Sequence, residues 1–123
     1  MSSYRDPYWG GPPAPLVDVR FSWRAQDRVV LGILDTGADH TQLPEDVAHE
    51  LRLRAISDIP ITDANGNQQM RYIYLADVEF EGVNFPSRPV VGSNLPIALV
   101  GRDILNEFVS TFDGPARDFL LRR

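Results

Sequence analysis

The sequence contains no cysteine, and this absence excludes two kinds of structural support. A chain without cysteine has no disulfide framework and no thiolate ligands for zinc. Its two histidines, His40 and His49, are too few to build a metal site in place of thiolates. We therefore expect no metal and no cofactor, and the cytoplasm is the default location.

Lysine is also absent, and the basic residues are arginines scattered along a chain of net charge −5. Nucleic-acid binding requires clustered positive charge to neutralise phosphates, so we expect no nucleic-acid partner. No apolar run approaches the length of a signal core or a membrane span, so no membrane association is expected either.

The composition is that of a globular chain, with 43% hydrophobic and 24% charged residues, and its length suits one domain. Residues 1–15 are rich in proline and glycine and are predicted to form a flexible arm without ladder pairing. Residues 16–123 are predicted to form the folded domain.

The first part of that domain is patterned as a β-hairpin. Val17, Val19 and Phe21 alternate with charged residues, which is the period of a half-buried strand. A polar turn at residues 25–27 leads into a second apolar run at residues 29–34.

One short helix is predicted after this hairpin and a second near the end of the chain. Leu43, Val47 and Leu51 share one helical face, and Pro44 stands where a proline in the first turn is tolerated. Residues 101–108 also have a helical pattern.

The middle of the chain predicts a long exposed hairpin. Strand candidates at residues 59–62 and 70–80 flank residues 63–67, in which Asn65-Gly66 favours the positive φ angles of a tight turn. Further short strands are predicted at residues 83–85, 89–91, 97–100, 109–112 and 119–121. Many short strands and only two short helices predict an all-β fold, a mostly antiparallel barrel or sandwich.

One short motif stands out for its chemistry. An apolar strand, residues 30–34, delivers Asp35 into the turn Asp35-Thr36-Gly37-Ala38, and a later apolar strand enters Gly101-Arg102 before a short helix. With the long hairpin between them, these two elements resemble the retroviral-type (retropepsin-like, clan AA) aspartic proteases. The resemblance, to a single-domain member of non-viral or bacterial type, covers about residues 16–121 and implies a closed β-barrel of the acid protease fold.

Peptide hydrolysis without a metal or a covalent nucleophile needs a base for water and an acid for the carbonyl oxygen. Two adjacent carboxylates meet both needs because they share one proton, as in aspartic proteases in general. The chain has only one such motif, so the second Asp35 must come from a partner chain. The resemblance therefore implies a homodimer.

The resemblance also implies individual roles. Asp35 would be the catalytic acid and base, Thr36 would brace the pair across the two-fold axis, and Gly37 would let its backbone approach the substrate. Asp39 and Arg102 would form a buried ion pair that fastens the active-site loop to the C-terminal helix.

Substrate-binding residues are implied in three places. Ala38 and Asp39 lie in the catalytic loop, and Ile97 and Leu99 would line the pockets beside the scissile bond, although a place in the core strand is nearly as plausible for this pair. The third place is the tip of the long hairpin, at the residues Ala64, Asn65 and Gly66, which would act as a flap over the substrate.

The predicted function is an aspartic endopeptidase that acts on peptide or protein substrates. The main alternative is a catalytically weak retropepsin-like dimer that serves as a peptide-binding or regulatory module, because a fold does not fix a function. A β-barrel hydrolase of small phosphates is a weaker alternative, since the chain has neither a glycine-rich phosphate cradle nor a metal cluster.

Overall fold

The computed structural model describes the whole chain, residues 1–123, as ten strands and two short helices. The strands are β1 (Ser2–Ser3), β2 (Leu16–Trp23), β3 (Gln26–Leu34), β4 (Gln42–Pro44), β5 (Ala55–Thr62), β6 (Gln68–Phe80), β7 (Val83–Ser93), β8 (Ala98–Val100), β9 (Val109–Asp113) and β10 (Asp118–Arg122). The helices are α1 (Glu45–Glu50) and α2 (Arg102–Leu105). The prediction of an all-β chain with two short helices is confirmed.

Six strands close into a barrel. They follow the order β2-β3-β8-β4-β7-β6, and β2 pairs back onto β6 from Arg20↔Glu79 to Ser22↔Asp77. β5 pairs only with β6 and extends the sheet beyond the ring as an edge strand. The predicted closed barrel is therefore confirmed, and closure removes most of the exposed strand edges that a sheet of this size would have.

The barrel core follows from the alternating pattern of its strands. In β2, Val17, Val19 and Phe21 are buried while Asp18 and Arg20 face solvent. Burial of each large apolar side chain contributes about 1.5–3 kcal/mol. All but two of the buried hydrophobic residues, Leu16 and Val91, belong to one cluster of 21, so the barrel and α1 share a single core.

A second, three-stranded sheet has the order β1-β10-β9. Because β10 is the central strand, both of its edges are already paired within the chain. Phe119 of this strand is 1% exposed and belongs to the same core as the barrel. The terminal sheet is therefore attached to the barrel through a buried aromatic side chain.

The prediction that residues 1–15 lack ladder pairing is wrong at two places. Ser2 and Ser3 pair with β10, and Arg5 forms an isolated bridge with Ala14. This bridge lets residues 6–13 form a loop around their prolines, so the missing amide donors cost no ladder bonds. The flexibility of this segment in solution stays a prediction.

Several element boundaries differ from the prediction, and β5 begins at Ala55 rather than at residue 59. Leu43 lies in β4, where it pairs with Gly92, because α1 begins only after Pro44. The second helix ends at Leu105, and Phe108 N–H then bonds to the Leu105 carbonyl in a tighter turn that leads into β9. The strands predicted at residues 83–85 and 89–91 are one strand, β7, with a register shift opposite residues 76–78 of β6.

No helix in the structure combines the length and the apolar character needed to span a membrane.

Candidate active site

Asp35 is positioned by two parallel strands inside the barrel. β3 and β8 pair in register from Gly32↔Ala98 to Leu34↔Val100, and the Asp35 amide donates to the Val100 carbonyl at 2.9 Å. Because both strands end here, the chain turns away from the sheet directly after Asp35. The motif is thus placed at a strand end, where backbone hydrogen bonds fix its first residue.

The turn that follows presents the Asp35 carboxylate to solvent. The Ala38 amide donates to the Asp35 carbonyl at 3.2 Å, and the Gly37 amide donates to Asp35 Oδ1 at 2.9 Å. Asp35 is half-buried, whereas Thr36 and Gly37 are exposed. Oδ2 of Asp35 forms no hydrogen bond within the chain, so one carboxylate oxygen is free for water or for a second carboxyl group.

Arg102 connects this loop to α2. Its Nη1 donates to the Thr36 carbonyl at 3.1 Å, and its Nη2 forms an ion pair with Asp39 Oδ1. The side chains of Arg102 and Asp39 are 47% and 69% exposed, so the expectation that the pair is buried is wrong for the single chain. The pair lies at the surface because α2 packs through Ile104 and Leu105, on its other side.

A second, more enclosed contact also holds the loop, and the sequence prediction missed it. Thr41 is fully buried, and both its amide (3.0 Å) and its hydroxyl (2.7 Å) donate to the Asp103 carboxylate. The Thr41 hydroxyl in turn accepts the Gly101 amide at 3.1 Å. The alternation of Thr41 with buried Leu43 indicated an inward-facing hydroxyl, but nothing in the sequence pointed to a partner 62 residues away.

Gly101 is required by the close approach of two backbones. A Cβ atom at this position would lie 2.6 Å from the His40 carbonyl carbon and 3.0 Å from the Ala38 carbonyl oxygen. The Arg102 amide donates to that Ala38 carbonyl at 2.9 Å. The start of α2 therefore packs directly on the loop that follows Asp35, which explains why glycine precedes arginine in the second motif.

The long hairpin consists of β5 and β6, and its tip is held only by local contacts. The Asp63 carboxylate accepts the amides of Asn65 and Asn67, each at 2.9 Å, and the Gly66 amide donates to the Asp63 carbonyl at 3.0 Å. Only Gly66 has a positive φ, +82°, so the tip is a five-residue turn capped by Asp63. Ala64, Asn65 and Gly66 are all exposed.

The structure brings some of the predicted substrate-binding residues near the loop. Leu99 is half-buried in β8, paired with Ile33 two residues before Asp35, and Ile97 is half-buried just before that strand. His40, which follows this loop, is half-buried. The hairpin and residues 92–95 line a cavity of about 250 Å³ together with Gln42, and Nη1 of Arg71 donates to Asn94 Oδ1 at 2.9 Å there.

The base of the hairpin meets α1 through a buried tyrosine. Tyr74 of β6 is 3% exposed, and its hydroxyl donates to Glu45 Oε2 at 2.6 Å. Burial, together with this hydrogen bond to a carboxylate, raises the pKa of Tyr74 well above its usual value of 10.0. Glu45 reaches Tyr74 across Gly92, where a Cβ atom would lie 2.0 Å from Glu45 Oε1.

No group of three or more His, Cys, Asp or Glu side chains is arranged to hold a metal ion. The residues that meet at the catalytic loop are a carboxylate, hydroxyls, an ion pair and backbone amides. These groups suit proton transfer and hydrogen bonding, and the expectation that no metal takes part stays a prediction.

Two solved structures share this fold. The EIAV protease complexed with the inhibitor HBY-793 superposes with a TM-score of 0.60 and 20% identity, over 84% of this chain and 93% of the protease. The simian foamy virus (mac) protease, a solution structure, gives a TM-score of 0.55 and 16% identity, over 74% and 91%. The closed barrel with an Asp-Thr-Gly turn at a strand end therefore has the retropepsin-like architecture.

Residues 23–107 match the model of the family described as "gag-polyprotein putative aspartyl protease". The match covers most of the chain, including both motifs and the hairpin between them, so the chain belongs to this retroviral-type aspartyl protease family. A comparison with curated protein sequences gives no match.

Proposed function

We propose that the chain is an aspartic endopeptidase that acts as a homodimer, with one Asp35 from each protomer. The proposal depends on which carboxylates of the loop, Asp35 or Asp39, already have a partner within the chain. Asp35 has a free carboxylate oxygen at an open turn, whereas Asp39 is already paired with Arg102. A second carboxylate for Asp35 must therefore come from outside the chain.

The two Asp35 side chains would share one proton, because two adjacent carboxylates do not both ionise. The ionised group takes a proton from water while the protonated group donates to the carbonyl oxygen of the peptide, and a bond forms between water oxygen and carbonyl carbon. The protonated carboxyl then gives its proton to the amide nitrogen, and the carbon–nitrogen bond breaks with its electron pair going to nitrogen. As the new carbonyl forms, a hydroxyl of the diol returns a proton to the other carboxylate. The dyad ends the cycle with one proton, as it began.

The loop and the hairpin supply the remaining groups of the proposed site. Thr36 would brace the dyad across the two-fold axis, and the backbone at Gly37, Ala38 and Asp39 would bind the substrate main chain. The exposed tip at Ala64, Asn65 and Gly66 would close over the substrate, because its own hydrogen bonds are local. Closure and opening would make and break the exposed hydrogen bond from Arg71 of the hairpin to Asn94. Ile97 and Leu99 would contact side chains beside the scissile bond.

The proposed dimer can pair only through strand edges that are free in the single chain. A dimer sheet through residues 119–121 is unsuitable, because β10 is already paired on both sides. The free edges of the terminal sheet are those of β1 and β9, and β9 exposes Val109 (56%) and Phe112 (37%). We expect the β9 edge to contribute to an isologous interface.

The test is a mixing experiment with Asp35→Asn. A shared site is inactivated when either copy carries asparagine, so activity at constant total protein should fall as the square of the wild-type fraction. A half-and-half mixture should retain about a quarter of the activity for random pairing. Mixtures should be dissociated and reassembled, and native mass measurement should confirm heterodimers before cleavage of a peptide library is assayed.

Two outcomes would contradict the proposal. Cleavage by Asp35→Asn alone at the wild-type rate would show that a different group, or a contaminant, is responsible. A linear dependence with confirmed heterodimers would show that each chain carries a complete site. Binding of a pepstatin-type transition-state mimic separates the peptidase from the catalytically weak peptide-binding module, since only a working dyad binds such a mimic tightly.

A further inference from the structure

A larger cavity, of about 550 Å³, lies away from the catalytic loop. It is formed by the β2–β3 turn, the end of α1 and the start of β5, and none of the proposed active-site residues lines it. Its apolar wall is formed by Trp23, Leu51, Ile56 and Leu75. The volume is within the range of about 300–1,000 Å³ that is usual for ligand sites.

Three arginines, Arg24, Arg52 and Arg54, also line this cavity. None of them forms an ion pair or a side-chain hydrogen bond, whereas six other arginines pair with carboxylates. The neighbouring acids are engaged elsewhere, because Asp27 pairs with Arg20 and Glu50 pairs with Arg28. In a chain of net charge −5, this cavity therefore concentrates unpaired positive charge.

Two of these arginines occupy backbone positions where glycine or asparagine is usual. Arg24 has φ +56° in the hairpin turn between Trp23 and Gln26, and Arg52 has φ +54° just after the end of α1. A non-glycine residue in this region costs about 1–2 kcal/mol. Glu81, Ser87 and Arg117 also have positive φ, so this conformation alone does not indicate a ligand. Arg24 and Arg52 differ from them because both line the cavity.

The cavity also borders an unpaired strand edge. β5 pairs with β6 on one side only, and Ile56, which lines the cavity, is 52% exposed at a register shift in this strand. An open edge offers backbone amides and carbonyls to another extended chain. The cavity thus combines an apolar wall and three arginines with a neighbouring free strand edge. A peptide can contact all three features, whereas a compact anion can contact only the arginines.

We propose that this cavity binds an extended peptide segment in which acidic and apolar side chains alternate. Carboxylates of the peptide would pair with Arg24, Arg52 and Arg54, whose planar guanidinium groups suit bidentate contacts. Apolar side chains would pack against Trp23 and Ile56, with the peptide backbone alongside β5. In the proposed peptidase the segment would belong to the substrate, outside the scissile region, and this role rests on the proposed function.

The binding test uses Asp35→Asn protein, so that no peptide is cleaved and the result does not depend on catalysis. The probe is an end-blocked peptide of sequence Glu-Leu-Glu-Leu-Glu, compared with Lys-Leu-Lys-Leu-Lys, and affinity is measured by calorimetry. A Trp9→Phe substitution leaves Trp23 as the single tryptophan, because the chain has two. We expect the acidic peptide to bind, to change Trp23 fluorescence and to weaken with salt, and the basic peptide not to bind.

Arg52→Gln/Arg54→Gln should weaken binding of the acidic peptide about tenfold or more, since hydrogen bonds to charged groups are lost. The matched control is Arg117→Gln/Arg122→Gln. These two arginines also lack a carboxylate partner, and Arg117 likewise has a positive φ, +55°, but neither lines the cavity. The control should bind with wild-type affinity.

Ile56→Glu is a second variant that leaves the arginines intact and should also reduce affinity. Equal affinity for both peptides, or equal losses in the arginine pair and its control, would overturn the proposal. So would binding of a fatty-acid anion such as dodecanoate without binding of the acidic peptide. Failure of peptide cleavage in wild-type protein, with acidic-peptide binding intact, would instead reject the proposed enzymatic function alone.

Discussion

The catalytic loop and the hairpin tip are both short turns at strand ends, but they are held in different ways. The loop after Asp35 is fixed by residues distant in sequence, through Val100, Gly101, Arg102 and Asp103. The tip at residues 63–67 is fixed by its own Asp63 and Gly66. Distant contacts make the loop rigid, whereas local ones leave the tip able to move with its strands.

This difference suits the proposed roles of the two turns. A carboxylate dyad needs its two members held in one geometry, and small displacements of catalytic groups are costly. A flap must open to admit substrate and therefore belongs to the less stable part of the fold. If this difference is real, substitutions that remove the distant contacts of the loop should destabilise the protein more than substitutions at the hairpin tip.

The largest contrast is expected between alanine substitutions at Gly101 and Gly66. Gly101→Ala places a Cβ against the backbone of His40 and should cost about 3 kcal/mol of unfolding free energy. In Gly66→Ala the added Cβ meets no atom within 4 Å. This variant should lose only about 1 kcal/mol of unfolding free energy, because alanine is strained at the positive φ of this position. Urea unfolding at fixed protein concentration measures both, and equal losses would contradict the comparison.

Removal of the Asp103 carboxylate should have the next largest effect. Asp103→Ala leaves the buried Thr41 amide and hydroxyl without their acceptor, which should cost about 2 kcal/mol. Asp113→Ala is the control, because that carboxylate accepts one amide, from Ala116, at an exposed turn. If the two variants unfold at the same urea concentration, the buried contact does not stabilise the loop.

The base of the hairpin should respond to pH through Tyr74. A raised pKa in the folded state stabilises the protein below the ordinary tyrosine value of 10.0, and this stabilisation is lost as pH rises above it. Tyr74→Phe should lower the free energy of unfolding by about 1 kcal/mol near neutral pH. Above pH 10.0 the difference in unfolding free energy between wild type and this variant should become smaller. The measurement is unfolding by urea across this range.

Tyr8→Phe is the control for this pH dependence, because Tyr8 is 68% exposed and does not contribute to the raised pKa of Tyr74. Its stability should follow the wild-type curve. A constant difference between wild type and Tyr74→Phe at all pH values would show that the hydroxyl of Tyr74 titrates normally in the folded protein.

Arg102→Ala should have the smallest effect on the single chain. Both of its contacts with the loop, the ion pair with Asp39 and the hydrogen bond to the Thr36 carbonyl, are exposed, and exposed pairs contribute less than about 1 kcal/mol. Arg20→Ala is matched to it, since the Arg20–Asp27 pair has similar exposure, 47% and 52%. At a dilution where the chain is monomeric, thermal unfolding of the two variants should agree.

A larger loss for Arg102→Ala at concentrations where the proposed dimer forms would show that the pair becomes buried there. A loss of about 3 kcal/mol or more in the monomer, the value for a buried pair, would contradict the exposure seen in the structure.

Local patterns were sufficient for the all-β class and for the place of Asp35 at a strand end, whereas the choice of a closed barrel over a sandwich came from the resemblance to retropepsin-like proteases. Alternation marked β2 and β3, and an apolar strand followed by Asp35-Thr36-Gly37 marked the loop. The Asp103–Thr41 contact and the exposure of the Arg102–Asp39 pair depend on how α2 packs against the loop. Packing between distant segments leaves no periodic signal in a single sequence.

Leu43 was misassigned for a related reason. Leu43, Val47 and Leu51 share a helical spacing, and all three are buried, but Leu43 reaches the core from a strand that pairs with β7. A spacing of four residues identifies a common buried face without distinguishing one helix from a strand followed by a helix. Pro44 marked the true boundary.

The choice of residue at position 92 depends on the residue at position 45. The Glu45 carboxylate fills the space that a side chain at position 92 would occupy, on its way to the Tyr74 hydroxyl. A homologue with a larger residue at position 92 must therefore carry a shorter or redirected one at position 45, and its tyrosine must find another acceptor or be replaced. Covariation among these three positions would be the trace of this contact in the family's sequences.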